Sequence, residues 1–260
     1  MPTRLGAHAE RLGRLRALRT VKGRREQRRF AFEGPTLLAE ARASGFPIEE
    51  LYATQSAYEA TPALAELEAA GTPAFVLPEA SLAGLSDVST PSGIIAISPL
   101  RLLPPEELFG RGSPLLVLAD VSDPANAGTL LRSADAFGCA GVLFGTLGVD
   151  PYHPKVVRGS MGALFRLALG VGGPEQAARA ASACGVDLLG LAAAGAPLSA
   201  ERWEAACALV VGHERHGLGP WAPLCGRLLA IPMAGRAESL SAAVAGSIAL
   251  YEARRAQDSA

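Results

Sequence analysis

The spacing of apolar and polar positions changes character along the chain. Near its start, Leu5, Leu12, Leu15 and Leu18 recur at intervals that line one helical face, with Arg11, Arg14, Arg16 and Arg19 mostly on the others. A basic amphipathic helix is predicted there. Residues 30–33 then read as a short strand, and Gly34-Pro35 leads into a helix over 36–44 that Ser44-Gly45 stops. Strands over 48–54, 74–77 and 94–98, with helices over 62–70 and 79–85 between them, complete a small α/β unit.

From residue 99 to Pro114, four prolines and two glycines interrupt this alternation. Proline fixes φ and removes a backbone donor, so the stretch reads as a boundary. The chain is thus expected to hold a first domain over 1–98, a linker over 99–113 and a second domain over 114–260. Beyond the boundary, Leu115 to Ala119 is a continuous apolar run, the mark of a strand covered on both faces, and similar runs recur at 141–144, 186–191, 207–211 and 227–231. Helices predicted over 128–137, 155–162, 174–184 and 240–256 supply the crossovers that parallel strands need. The second domain is expected to be α/β with a largely parallel sheet.

A formal net charge of −1 over 260 residues hides an asymmetry. Residues 1–32 carry ten Arg or Lys against Glu10 and Glu26, whereas the remaining 228 residues carry fourteen basic against twenty-three acidic side chains. Such a basic segment suits a polyanion, and contact with nucleic acid is expected. No apolar run approaches the roughly 20 residues of a membrane span, and the basic N-terminus lacks an apolar stretch behind it, so a cytoplasmic protein without a membrane partner is expected. Cys139, Cys184, Cys207 and Cys225 form no Cys-x-x-Cys pair and read as buried reduced thiols. His213, Glu214 and His216 share one glycine-flanked loop rather than a helix, so no metal is expected. Gly170-Val171-Gly172-Gly173 is a lone glycine cluster before Pro174, not a dinucleotide fingerprint.

Ligands of parallel α/β sheets bind at the carboxyl ends of strands, and three loops there carry polar residues. The first runs from Asp123 to Gly138, with Asn126 placed to cap a helix and Arg132 in its second turn. The second is Gly212-His213-Glu214-Arg215-His216-Gly217-Leu218-Gly219. The third follows Ile231-Pro232-Met233 and brings Glu238, Ser239, Leu240 and Ser241 to the start of a helix rich in small residues. Read from residue type alone, Arg132 is a surface ion-pair former, Asn126 and Ser239 are helix caps and Glu214 is a solvated loop carboxylate.

In this order the three stretches resemble the SpoU (TrmH-like) family of SPOUT methyltransferases. The first motif of that family is represented by Asn126, Gly128, Arg132, Ala134 and Gly138, and the second by Gly212, Glu214, Gly217 and Leu218. The third, Ile-Pro-Met-x-Gly-x-x-Glu-Ser-Leu-Asn, matches from Ile231 through Leu240 and departs at Ser241. The segment from Lys155 to Ala163 is also similar to the family, and the resemblance covers about residues 113–256. Around Phe32-Glu33-Gly34 the first domain resembles the small L30e-type RNA-binding domain of many relatives.

The resemblance implies an α/β chain of two parts: an L30e-like RNA-binding domain and a SPOUT parallel-sheet domain with a trefoil knot. It implies a homodimer that moves a methyl group from S-adenosylmethionine to a ribose 2′-hydroxyl of RNA, with ribosomal RNA the expected substrate. Carried over by position, the catalytic group is Arg132, Asn126, Glu214, Ser239 and Ser241. Contacts to the methyl donor fall on Leu191, Gly212, Gly217, Ile231, Met233 and Leu240, and contacts to RNA on Arg24, Arg25, Arg28, Arg29, Glu33 and Arg158. Ser241 leaves a second reading open, a non-catalytic RNA-binding protein on the same fold; methylation of a base nitrogen is a third.

Overall fold

In the computed structural model, residues 2–6, 10–201, 203 and 206–258 are described. They fall into two units: the chain up to Leu100 together with Tyr152–Phe165, and Arg101–Pro151 together with the chain from Arg166 onward. The contiguous division expected from the sequence places 152–165 with the second unit; by its contacts this segment packs with the first.

In the first unit the basic stretch forms two short helices rather than one. After β1 (Thr3–Arg4) come α1 (Glu10–Ala17) and α2 (Val21–Gln27). Leu12, Leu15 and Leu18 are buried as the leucine spacing predicts. The break between the helices has a cause in the sequence: Thr20 caps α2 by accepting the Gly23 amide, and a Cβ on Gly23 would stand 2.0 Å from the Ala17 carbonyl oxygen. The rest is β2 (Arg29–Glu33), α3 (Pro35–Ala43), β3 (Glu50–Ala53), α4 (Gln55–Ala60), α5 (Pro62–Ala69), β4 (Ala74–Val76), α6 (Glu79–Ala83) and β5 (Ile94–Pro99). The sheet order is β1-β4-β3-β5-β2, with β5 antiparallel to both of its neighbours. One face packs Tyr52, Phe75, Ile95 and Ile97 under the α1 leucines. Another cluster joins Phe30 to Tyr152, with ring centroids 4.4 Å apart, and Phe165 to Phe32 and Phe46.

The second unit opens with α7 (Pro105–Phe109), inside the stretch expected as a linker. Leu108 and Phe109 are buried in its core, so these residues are part of the fold. Then follow β6 (Leu115–Ala119), α8 (Pro124–Ala136) and β7 (Gly141–Gly145). The segment that packs with the first unit carries α9 (Pro154–Gly159), and β8 (Ala168–Gly172), α10 (Pro174–Cys184), β9 (Asp187–Pro197), β10 (Cys207–Gly212), β11 (Arg227–Ala230) and α11 (Ala242–Asp258) complete the second unit. Its sheet has the order β11-β9-β10-β6-β7-β8, and every pairing is parallel.

Four of the five apolar runs became the central strands β6, β7, β9 and β10 and the fifth became the edge strand β11, but β8 lacks such a run. Its glycines answer a packing demand: a Cβ on Gly170 would stand 2.9 Å from the Leu103 carbonyl oxygen, and one on Gly172 would stand 2.7 Å from Pro105 Cγ. The small-residue face of α11 is used in the same way. A Cβ on Gly246 would meet Leu130 of α8 at 2.4 Å, and Ser133 Oγ lies 2.6 Å from Ser247 Oγ. No helix among the described residues is long and apolar enough to cross a membrane.

Candidate active site

The cavity at the carboxyl edge of the second sheet begins with an irregular strand. In β9, pairing to β11 jumps from Gly190–Leu228 to Ala196–Leu229, so 191–195 leave the ladder and Leu191, Ala192 and Ala193 become a wall. Opposite them, β10 ends at Val211 and Gly212 and enters a tight loop. His213 and Gly217 exchange two backbone hydrogen bonds, of 2.8 and 2.9 Å, and Gly217 has φ +59°. A Cβ on Gly212 would stand 2.3 Å from the Gly217 carbonyl carbon, so only glycine fits where the loop folds back. The third wall is Leu229, Ile231, Met233 and Glu238–Leu240, with Ala242 and Ala245 of α11 beneath. The cavity holds about 220 Å³.

Leu191, Gly212, Gly217, Ile231, Met233 and Leu240, the six positions assigned to the methyl donor, all line this one cavity. Apolar walls broken by backbone amides and carbonyls suit a purine and an aliphatic chain, and Glu214 and Glu238 are also among the lining residues. S-adenosylmethionine has these parts, and the residues fit it.

Glu214 is the hub of the polar side. It accepts from the Ser122 amide (3.1 Å), Ser122 Oγ (3.0 Å), the Asp123 amide (3.2 Å) and Asn126 Nδ2 (2.9 Å). Partial burial pushes its pKa up, but these donors, with its own amide, outweigh that and hold the carboxyl at about 2. His213 Nδ1, 3.9 Å away, accepts the Arg215 amide and so presents no proton to the carboxylate. Glu214 is therefore not a solvated loop carboxylate but a clamp between the β10 loop and the start of α8.

That start differs from expectation. Asp123 is the N-cap, its carboxylate accepting the Ala125 amide, with Pro124 at the first helical position. Asn126 thus lies inside the first turn and gives its amide to Glu214 rather than capping, and Arg132 lies in the third turn. Arg132 is exposed, and no hydrogen bond or ion pair is formed by it among the described residues. Ser239 lines the cavity. Ser241 does not; its Oγ accepts the Val244 amide at 3.3 Å and its carbonyl the Ala245 amide at 2.9 Å, making it the cap of α11. The helix therefore begins at Ala242, not at 240.

The residues assigned to RNA diverge. Arg25 and Arg28 are exposed on α2 and at its end. Arg24 is a correction: it is 1% exposed and donates to the Leu18 carbonyl at 2.9 Å, so it stabilises the α1–α2 turn and cannot meet a phosphate. Arg29 is half-buried in ion pairs with Glu49 (2.6 Å) and Glu50 (3.4 Å). Glu33 accepts from Ser86 Oγ and the Asp87 amide, and with Asp87 and Arg158 lines a small cleft. Sequence reasoning missed Ser122 and Asp123 as holders of Glu214; Asp123-Pro124, a frequent helix start, was the available signal. Among the described residues no cluster of three His, Cys, Asp or Glu is placed to hold a metal.

Comparison with known proteins agrees with this geometry. Residues 113–251 match the model of the SpoU rRNA Methylase family, and residues 10–96 match that of the MRM3-like substrate binding domain. The chain is similar to the 23S rRNA (guanosine(2553)-2′-O)-methyltransferase RlmP of Bacillus subtilis, with 31% identity over 91% of this chain and 93% of that one. An uncharacterized tRNA/rRNA methyltransferase of Synechocystis is 32% identical over 94% of this chain and 90% of its own length. Among solved structures, the AdoMet-bound rRNA methyltransferase of Sinorhizobium meliloti superposes with a TM-score of 0.87 at 29% identity, covering 97% of both chains. AviRb of Streptomyces viridochromogenes, solved in complex with AdoMet, gives 0.86 at 26% identity over 97% of this chain and 99% of that one. The Glu214 loop and the 231–240 stretch share one cavity with the β9 wall, and the first-motif stretch is tied to it through the Asn126–Glu214 bond; by this arrangement and the family match together, the chain is a member of the SpoU rRNA methylase family.

Proposed function

We propose that this chain transfers a methyl group from S-adenosylmethionine to a ribose 2′-hydroxyl of ribosomal RNA. One observation carries the reading: six residues from three separate stretches, assigned to the methyl donor, meet in a single cavity beside the Glu214 clamp. When bound, the sulfonium compound supplies an activated methyl group. The chain's own part is to align the ribose oxygen and stabilise its developing charge.

Arg132 takes the second role. Its guanidinium is unengaged among the described residues, and its planar fork suits a phosphate or the ribose oxygen. We assign it electrostatic stabilisation of the forming alkoxide. Glu214 and Asn126 act as positioning residues for the α8 start, and Ser239 faces the substrate from the cavity rim.

RNA docks on the first unit through the exposed Arg25 and Arg28. Such phosphate contacts make binding salt-sensitive. The reading includes a homodimer, supported by Val244, Ile248 and Tyr251, exposed by 47, 38 and 53% at helical spacing on α11. It includes the knot as well: β11 is an edge strand, yet α11 after it packs on β10 and α8, further inside the sheet. A cytoplasmic location belongs to the same reading, and the cysteines, of which Cys139 and Cys207 are buried and Cys184 is exposed rather than buried, are free thiols that accord with it.

The test is to incubate the protein with methyl-labelled S-adenosylmethionine and unmodified 23S rRNA, then digest the RNA and find the label. Label on a ribose is expected. Label on a base refutes the proposal, and donor binding without transfer to any ribosomal RNA favours the binding module.

A further inference from the structure

The residue that follows β6, Asp120, has three unusual properties at once. It is not glycine, yet it has φ +59°, a conformation that Asp and Asn adopt more readily than most residues. Its Oδ1 accepts the Leu147 amide, at 3.0 Å, from the loop after β7. Its Oδ2 accepts Trp221 Nε1, at 2.9 Å, from the 3₁₀ turn Gly219–Leu224 that follows the Glu214 loop. Trp221 is only 1% exposed, so its indole N–H needs a protein partner.

The surroundings are shaped to admit this side chain. A Cβ on Gly145 would stand 2.3 Å from Asp120 Oδ1, and one on Gly148 would stand 2.8 Å from the Val121 carbonyl oxygen. Val121 in turn accepts the Val149 amide at 2.9 Å. One carboxylate thus ties its own loop to the loop after β7 and to the turn after the Glu214 loop.

The two residues beyond Val121 are Ser122 and Asp123, whose amides hold Glu214. The left-handed turn at Asp120 and the two bonds of its carboxylate set the direction in which that segment leaves the sheet. The segments joined by the Glu214 clamp are therefore joined a second time by Asp120 and Trp221, from the other end.

We propose that Asp120 is a positioning residue for methyl transfer, clipping the β6–α8 loop to Trp221 and Leu147 so that the Ser122 and Asp123 amides are aimed at Glu214. It touches neither donor nor RNA in this account, and acts through the clamp and the start of the helix that bears Arg132. The inference rests on the function proposed above for its catalytic consequence, while the clip itself is tested without activity.

Asp120→Gly keeps the left-handed turn and removes both side-chain bonds. Trp221→Phe keeps an aromatic ring and removes one. Both variants are expected to bind S-adenosylmethionine within about threefold of wild type by calorimetry, while the single-turnover rate on 23S rRNA falls about tenfold or more. Asp120→Asn keeps the turn and one acceptor, and is expected to recover part of that rate. In parallel, hydrogen exchange at the Ser122 and Asp123 amides is expected to accelerate at least tenfold in Asp120→Gly. Unchanged exchange at those amides overturns the clip whatever the activity. Faster exchange with a turnover rate within twofold of wild type overturns its catalytic role. If wild type transfers no methyl group to any RNA, the functional reading and the catalytic role fail together, and the exchange result still decides the clip.

Discussion

Replacing Glu214 by Gln tests whether the clamp is electrostatic. The carboxylate has four donors aimed at two oxygens; in the variant one oxygen remains, and on either side the NH₂ group faces a backbone amide, of Ser122 or of Asp123, that cannot accept from it. Lowering the carboxyl from the ordinary 4.5 to about 2 would, taken at face value, couple roughly 3 kcal/mol to folding. Solvent reaches a side chain that is 22% exposed, which reduces the expected contribution to about 1–2 kcal/mol. Because the folded pKa lies below the unfolded one, this stability is fully present above about pH 5 and is lost as pH falls toward 2. Both tryptophans, Trp203 and Trp221, lie in the second unit, so urea unfolding followed by their fluorescence reports on that unit. Glu214→Gln is expected to unfold about 1–2 kcal/mol more easily at pH 7, or about 3–6 °C lower on heating, with the gap reduced by about half or more at pH 3. A gap under about 0.3 kcal/mol at pH 7, or one that stays constant down to pH 3, refutes the clamp as drawn.

Three further outcomes are expected. Arg24→Ala lowers the melting temperature by several degrees because it leaves the Leu18 carbonyl without its buried donor, whereas Arg25→Ala leaves melting unchanged and reduces the salt dependence of RNA binding by about one phosphate contact, measured by filter binding against salt. Ile248→Asp, on the exposed face of α11, shifts the protein to monomer in sedimentation without changing the fold reported by circular dichroism; a dimer that persists refutes that interface. Ser241→Asn retains methyl transfer within about threefold, while Ser241→Ala costs about 1 kcal/mol of stability in urea.

How much of this was legible depended on what each residue has to do. The central strands of the second sheet were readable because a parallel strand is covered on both faces and must be apolar throughout, as Leu116 and Val117 are. By contrast β8 was invisible, since Gly170 and Gly172 are chosen for the close approach of Leu103 and Pro105 and carry no hydrophobic signal. Charge counting likewise found the basic segment but not the fate of its members: Arg24 and Arg25 are adjacent, and only helix phase sends one inward. The Glu214 loop and the 231–240 stretch were legible through their motifs, whereas the Ser122 and Asp123 amides that hold Glu214 were not, because backbone amides leave no trace in residue type.

Ser241 shows how a departure from a family pattern is weighed once its position is known. From the sequence, serine in place of asparagine removed an amide donor from a loop expected to hold the substrate. In the fold that residue is exposed, stands outside the cavity wall and caps α11 through Oγ. Serine and asparagine are nearly equal as N-caps, each offering one side-chain oxygen to the first-turn amides. The substitution therefore preserves the helix start that carries Ala242 and Ala245 into the cavity floor, and removes nothing from the six positions around the donor. The case for a non-catalytic protein rested on that one residue. With the cap intact, it shifts to whether Arg132, unengaged on α8, meets a ribose.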